Sequence, residues 1–467
     1  MKLTQADLFA VEHVEALGFD DARGFAVTGV STDSRSVKSG DLFVAIRGGK
    51  FDGHNFVTTA IEQSAAAVVV DQKWADANKR MMISINVPRL IVRDTVQALG
   101  RIANGYRRKF DIPVLAVGGS NGKTTTKEMI RAVLAQKFNV LCTEGNLNNH
   151  LGVPQTLFCL DGKHDVAVIE VGTNHRGEIA YLCEILEPTH GLITNVGKEH
   201  LEFFGTLDGV AKSEGELFRW LEAHGGTGFI NGDDPRIVKQ SRKLRKKIVY
   251  GLEATRAKVK GAIQKVDEQG CTTVRIKHSG KSFTATLRIP GSHNAGNAVA
   301  AAAVGLSLKV PTTRIQSALE LFSPSSKRME VQQLNGITIL NDTYNANPDS
   351  VIAALATLRS MKAAGKKIAV LADMLELGPK SAEYHKQIGK AVSSSGVAYL
   401  LTFGLLSRHT NEAAAVKNKA HYDQKNVLAE YLLEIARSGD VILVKGSRGM
   451  KMEEVIAFLQ ERYHRAA

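Results

Sequence analysis

The residues Gly119-Ser-Asn-Gly-Lys-Thr-Thr125 carry the densest chemical information in this chain. Glycines let backbone N–H groups approach phosphate oxygens, and a helix that starts after them adds partial positive charge. In such a loop Lys123 reaches the β/γ-phosphates of a nucleoside triphosphate, and Thr124 places a hydroxyl on Mg²⁺. Gly119, Ser120, Asn121, Gly122, Lys123, Thr124 and Thr125 are therefore the candidate ATP contacts. The loop is short: the usual P-loop has four residues between its first glycine and the Gly-Lys pair, whereas Gly119 and Gly122 enclose only Ser120-Asn121. A glycine-rich turn that merely caps a helix is the bland alternative. An apolar strand pattern at 114–117 and a helical pattern at 127–136 favour the nucleotide.

Other residues could share that chemistry. Glu170 ends the apolar run 165–170, and a carboxylate at a strand's C-terminal end faces the crevice where α/β proteins bind ligands. It could hold Mg²⁺, which takes one or two carboxylates plus phosphate and water; a polar strand end is the alternative. His200 follows the apolar run 191–195. A lone histidine is more often structural, but this position favours a site. Lys212 reads, by charge and spacing, as a solvated surface lysine. Three asparagine-rich stretches, 145–150 (Asn146, Asn149), 291–297 (Asn294, Asn297) and 341–348 (Asp342, Asn345, Asn347), suit turns and helix caps. Their adjacency to glycines also suits a polar ligand.

Elements able to position these groups follow from the patterning. Apolar runs alternate with helical patterns over 106–312 and again over 313–467, as in mainly parallel sheets covered by helices. Residues 256–289 alternate in polarity and predict an antiparallel insertion. Residues 1–105 read as a smaller α/β unit with strands at 41–46 and 66–70. No GxGxxG loop, internal repeat or coiled coil is present.

The chain has 467 residues, enough for about three domains. Hydrophobic residues make up 44% and charged residues 23%, the balance of a soluble globular protein. The first residues lack a signal-peptide pattern, and no apolar stretch is long enough to span a bilayer. Cys142, Cys159, Cys183 and Cys271 show no metal-ligand spacing. A cytoplasmic protein without membrane insertion is expected. The net charge of +13 suits anionic partners. Its densest run, Lys239 to Lys247, has no aromatic residue for base stacking and reads as a solvated helix face. Anion steering is expected, not nucleic-acid binding, and nothing demands more than a monomer.

Taken together, these segments resemble the Mur ligase family, which makes peptidoglycan precursors. The resemblance spans the chain: Thr32-Asp-Ser-Arg35, Gly40-Asp-Leu-Phe43, Asp52-Gly-His54, the 119–125 loop, Asn146-Leu-Asn-Asn149, Glu170-Val-Gly-Thr-Asn-His175, His200, Asp342-Thr-Tyr-Asn-Ala-Asn-Pro348, Asp373-Met-Leu-Glu-Leu-Gly378 and Lys445-Gly-Ser-Arg448. The 344–348 and 373–378 segments are particular to the member that adds D-alanyl-D-alanine. Gly118 stands where the family usually has Thr, and Lys327 precedes Arg328 where Gly is common.

The resemblance implies three domains: a UDP-MurNAc-peptide-binding unit (1–105), a central P-loop ATP-binding domain (106–312) and a Rossmann-like domain (313–467). It implies an ATP-dependent amide ligase acting on UDP-MurNAc-tripeptide and D-Ala-D-Ala through an acyl phosphate. Thr124 and Glu170 would bind one Mg²⁺, and His200 would help bind a second. Lys212 would be the lysine that many members carry as a carbamate, an anion near the metals. Asn294 and Asn297 would touch the nucleotide, with Arg328 and Asp342 reaching it from the third domain. Tyr344, Asn345 and Asn347 would lie near the adenine or the dipeptide. Ser34, Arg35, Asp52 and His54 would hold the UDP-sugar, and Asn146, Asn149 and Thr173 would contact substrate. Folylpolyglutamate synthase and the Mur ligase that adds the third residue share the architecture. The 32–43 segment disfavours the first and 344–348 the second. A nucleic-acid-dependent P-loop ATPase and a non-catalytic nucleotide-binding scaffold are the readings from other classes.

Overall fold

The apolar runs become strands buried on both faces, the outcome expected where helices cover a parallel sheet. A computed structural model describes residues 1–19, 25–49, 51–324 and 327–466. The chain divides into two compact units, one of Met1–Ala116, Asn139–Gly172 and Gly177–Thr189, the other of Val117–Phe138, Thr173–Arg176 and His190–Ala467.

In the first unit a five-stranded sheet runs in the order Glu15–Leu17, Arg89–Val92, Ala67–Asp71, Asp41–Val44, Gly29–Ser31. All its pairs are parallel except the first. Phe43, Val68 and Val70 point into one apolar cluster with Val57 and Ala60. Asp94 caps the helix Thr95–Arg107 by accepting from the Val96 and Gln97 amides. The same unit holds the parallel pair Val140–Cys142 and Val166–Glu170.

The second unit carries the phosphate-loop helix, Lys123–Leu134. It begins four residues before the 127–136 pattern, because Gly122 at φ 76° supplies the left-handed N-cap and Lys123 opens the first turn. The alanine-rich helix His293–Ser307 packs on it closely: a Cβ on Gly305 would stand 2.5 Å from Val133. Strands His190–Ile193, Thr227–Asn231 and Lys246–Gly251 pair in parallel. Val259–Val266, Cys271–His278 and Lys281–Pro290 then form the antiparallel meander expected from 256–289. The basic run is solvated as expected but lies mostly off a helix: Pro235–Gln240 ends early and Lys246 already starts a strand.

A six-stranded sheet completes this unit, in the order Glu330–Leu334, Ile337–Asp342, Val441–Lys445, Lys367–Ala372, Tyr399–Phe403, Asn418–Tyr422. Only its first pair is antiparallel. Apolar clusters around Leu355 and Leu443 on one face, and Ile442 and Leu428 on the other, account for its doubly buried central strands.

Candidate functional site

The loop after strand Val114–Gly118 is braced by the segment that follows His190–Ile193. Gly119 adopts φ 111°, and a Cβ there would fall 2.3 Å from Thr194 Oγ1, so only glycine fits. The Ser120 N–H donates to Asn195 O at 2.9 Å and the Asn121 N–H to Asn195 Oδ1 at 3.0 Å. Thr194 Oγ1 and Asn195 Nδ2 donate to Asn121 O at 2.7 and 2.8 Å. Ser120 Oγ accepts from the Gly197 N–H at 2.7 Å. These bonds use the loop's early amides to fix its shape. The amides of Lys123, Thr124 and Thr125 form the first turn of the helix, the end whose partial positive charge suits an anion.

Lys123 Nζ donates to the Gly119 carbonyl and lies 3.3 Å from Glu199 Oε2. The Gly119 N–H donates to Glu214 Oε2 at 2.8 Å. Both carboxylates are buried, Glu214 at 1% exposure and Glu199 at 7%. Burial raises the Glu214 carboxyl well above the ordinary range, with the Lys123 charge opposing. One further oxygen on each, Glu199 Oε1 and Glu214 Oε1, is buried without a hydrogen-bond partner.

Lys212 does not join this group. It is exposed on the helix Leu207–Glu214, while Glu214, two positions on, faces the loop. Residues i and i+2 of an α-helix are about 200° apart, so the two cannot share a face. Lys212 therefore faces away from the loop.

Asn294 and Asn297 stand beside the loop as expected. Thr126 Oγ1 donates to Asn297 Oδ1 at 3.1 Å, Asn297 Nδ2 to Asn294 Oδ1 at 3.0 Å, and Asn294 Nδ2 to Pro290 O at 2.8 Å. The 344–348 segment also reaches the loop: Asn347 Nδ2 donates to Asn121 Oδ1 at 2.8 Å. Asp349 accepts from the Lys198 N–H at 2.8 Å. His200, at φ 46°, places Nδ1 2.6 Å from Glu376 Oε2 in the 373–378 segment.

Asp342 accepts from Lys445 Nζ at 2.5 Å and from the Met329 N–H at 3.1 Å, and Lys445 also donates to Asn345 O at 2.8 Å. The Arg328 guanidinium lies 3.8 Å from the Tyr344 ring centroid, with Arg448 at 5.4 Å on the same ring. Lys327 sits at φ 65°, in the region that favours glycine. Its amide donates to Glu330 and its ammonium to Glu453.

In the first unit Glu170 is buried at its strand end and accepts from Asn148 Nδ2 at 2.9 Å. Asn149 accepts from the Leu151 and Gly152 amides, and Asn146 is exposed. His54 is 1% exposed. Its Nε2 accepts from the Asp71 N–H at 3.0 Å, so the proton is on Nδ1, which donates to Asp52 at 2.6 Å. Both ring nitrogens brace the turn. A cleft of about 450 Å³ opens beside Thr32, Asp33, Ser36, Gln155 and Phe158. Ser34 is buried and Arg35 pairs with Asp33, holding that carboxyl down at about 2, so their neighbours form the wall.

Thr173, in the second unit, is buried and donates to His175 O at 2.6 Å.

Asn148, Glu199, Glu214, Asn195, Lys198 and Lys445 escaped the sequence reading. Asn148 and Lys445 carried a local signal, their places in Asn146-Leu-Asn-Asn149 and Lys445-Gly-Ser-Arg448. The site residues fit Mg²⁺ by chemistry. In the second unit Thr124 brings a buried hydroxyl, and Glu199 and Glu214 bring buried oxygens lacking donors. Among the described residues no three His, Cys, Asp or Glu converge on a metal cage. A phosphate-bound Mg²⁺ needs no such cage, only one or two protein oxygens.

Three family models match the chain: "Mur ligase family, catalytic domain" over residues 26–107, "Mur ligase middle domain" over 117–305, and "Mur ligase, glutamate ligase domain" over 327–448. The Escherichia coli (strain K12) UDP-N-acetylmuramoyl-tripeptide–D-alanyl-D-alanine ligase is 36% identical over 444 residues, covering 92% of this chain and 93% of its own. The Bacillus subtilis (strain 168) enzyme of the same name is 34% identical over 440 residues, 93% of each chain. A crystal structure of MurF from Acinetobacter baumannii superposes with a TM-score of 0.89 at 28% identity, covering 99% of each chain. The Thermotoga maritima MurF ligase in complex with ADP gives 0.82 at 27% identity, covering 94% of this chain and 99% of its own.

Proposed function

The chain belongs to the Mur ligase family, and from that premise we propose that it joins D-alanyl-D-alanine to UDP-N-acetylmuramoyl-tripeptide at the expense of ATP, in peptidoglycan precursor synthesis. The observation that carries this reading is the bond between Asn347 and Asn121, which sets the Tyr344-Asn-Ala-Asn-Pro348 segment of the D-Ala-D-Ala-adding member against the phosphate loop.

The proposed reaction has two steps. The tripeptide's terminal carboxylate attacks the γ-phosphate, ADP leaves, and an acyl phosphate forms. The dipeptide amine then attacks that carbonyl, and the tetrahedral intermediate expels phosphate to leave the amide. A carboxylate is a poor electrophile; phosphorylation supplies its leaving group.

This chain's residues do the positioning and the charge stabilisation. The amides of Lys123, Thr124 and Thr125 bind phosphate oxygens. The Lys123 ammonium exchanges the Gly119 carbonyl for the γ-phosphate and stabilises its developing charge. Asn294 and Asn297 fix the helix flank beside the nucleotide, Arg328 and Tyr344 form a stacked platform for its base, and Asp342 orients Lys445. Asn345 and Asn347 are proposed as dipeptide contacts. Ser34, Arg35 and Asp52 shape the cleft for the UDP-sugar, with Asn146, Asn149 and Thr173 as peptide contacts. When bound, Mg²⁺ neutralises phosphate charge so that an anionic nucleophile can approach. Thr124 and Glu170 are proposed as its ligands, with His200 for a second ion.

The domains are proposed to divide near residues 105 and 312. No helix among the described residues is long and apolar enough to cross a membrane, and a monomer working in the cytoplasm is proposed. The test is phosphate release from ATP with UDP-MurNAc-tripeptide, with and without D-Ala-D-Ala. Dipeptide-dependent release with a pentapeptide product is expected. Release that ignores the dipeptide, with both diaminopimelate and lysine tripeptides tried, would move the chain to another substrate.

A further inference from the structure

Glu214 is a costly residue where it stands. It is the last residue of the helix Leu207–Glu214, where the macrodipole disfavours an anion, and it is almost fully buried. Its Oε2 is spent on the Gly119 N–H, and its Oε1 has no partner. Glu199 repeats the pattern, with Oε2 near Lys123 and Oε1 unpartnered. Two buried carboxylates thus share one ammonium, and that ammonium must turn to phosphate when nucleotide binds. Two buried oxygens without donors are then left for a hard cation, which takes such oxygens readily.

Family resemblance places a carbamoylated lysine, a cation turned into an anion, near the metals. Here the lysine that matches it points to solvent. We propose that Glu214, together with Glu199, supplies this anion from its own side chain once the cation is bound, and that Lys212 stays an unmodified surface ammonium. The ligase then needs no carbon dioxide to charge its phosphate site. This rests on the reading of the 119–125 loop as the ATP site. Glu214 acts as a positioning carboxylate: it holds Gly119 by one oxygen and offers the other to the Mg²⁺ that accompanies the nucleotide.

Two measurements on the full chain test it. First, ADP binding is titrated by calorimetry with Mg²⁺ and with EDTA, for the wild type and Glu214→Gln. Glutamine keeps an acceptor for the Gly119 N–H and removes the charge. The variant should bind ADP in EDTA as the wild type does, and its Mg²⁺-dependent gain in affinity should fall about 10–100-fold. An undiminished gain overturns the proposal, and so does equal weakening in EDTA, which would mark a purely structural role. Second, the wild type is equilibrated with ¹³C-bicarbonate and examined by ¹³C NMR, which does not depend on the variant folding. No protein carbamate signal is expected; a signal that disappears in Lys212→Ala overturns the proposal. A wild type that binds no ADP defeats both this inference and the ligase reading. One that binds MgADP yet ignores the dipeptide defeats only the substrate assignment.

Discussion

Lys123 decides whether the 119–125 loop is a phosphate site or a helix cap. Its ammonium rests on loop carbonyl and carboxylate oxygens, within reach of anything bound at the helix N-terminus. Lys123→Ala should lower kcat by about 10²–10³-fold or more, because one charged donor to the transition state is lost. Near-normal turnover in a variant whose circular dichroism is intact would remove the loop from the chemistry. Residue types and spacing made this much legible, since glycines, lysine and threonine act through their local order. Glu214 was not legible. Its part depends on which face of a short helix meets the loop, and the exposed Lys212 two positions away had the more suggestive family match.

Among the elements, the helix Pro348–Ser360 links cap and site. Asn347 caps it in a reciprocal pair with Ser350 while bonding Asn121. Asn347→Ala should cost about 0.5–2 kcal/mol in urea unfolding. Asn347→Ser should keep the cap and most of that stability, yet raise the KM for ATP or dipeptide as Ala does. Serine behaving as wild type in the assay would make Asn347 a cap alone.

The 373–378 segment has a pH-sensitive support in His385. This imidazole accepts from the Met374 N–H and donates to Ser381 O, and burial lowers its pKa. The unfolded chain therefore binds a proton on this residue more readily than the folded one. Its contribution to stability is complete above the ordinary value of about 6.5 and is lost as pH falls from there toward the lowered folded value. Melting temperature should drop from pH 7.5 to pH 5.5, and His385→Gln should flatten that slope; an unchanged slope would exclude His385 as its source. Strands with doubly apolar runs, such as 66–70 and 441–444, could be read from sequence. Lys246–Gly251, Glu330–Leu334 and Asn418–Tyr422 could not: their polar residues face solvent at flanks or edges, so no apolar period marks them.

At the scale of the whole molecule, composition spoke only of partners. A net charge of +13 without stacking aromatics along its basic run suits anionic small substrates. Rising NaCl at fixed Mg²⁺ should raise the KM for ATP while leaving kcat nearly constant, because screening weakens steering and not the buried site. A kcat that falls in step would place the salt effect in the chemistry. The α/β class and the antiparallel insertion at 256–289 were legible from alternation. The packing that brings 344–348 onto the phosphate loop was not, because it joins segments more than two hundred residues apart through asparagine side chains, whose type alone suggests only turns.

In the proposed reaction phosphate leaves with an oxygen of the substrate's own carboxylate. UDP-MurNAc-tripeptide labelled with ¹⁸O in its terminal carboxylate should be turned over with ATP and D-Ala-D-Ala, and the released phosphate analysed by mass. An acyl phosphate requires one ¹⁸O in each phosphate released with pentapeptide. Pentapeptide accompanied by unlabelled phosphate would contradict the mechanism, and labelled phosphate would establish it.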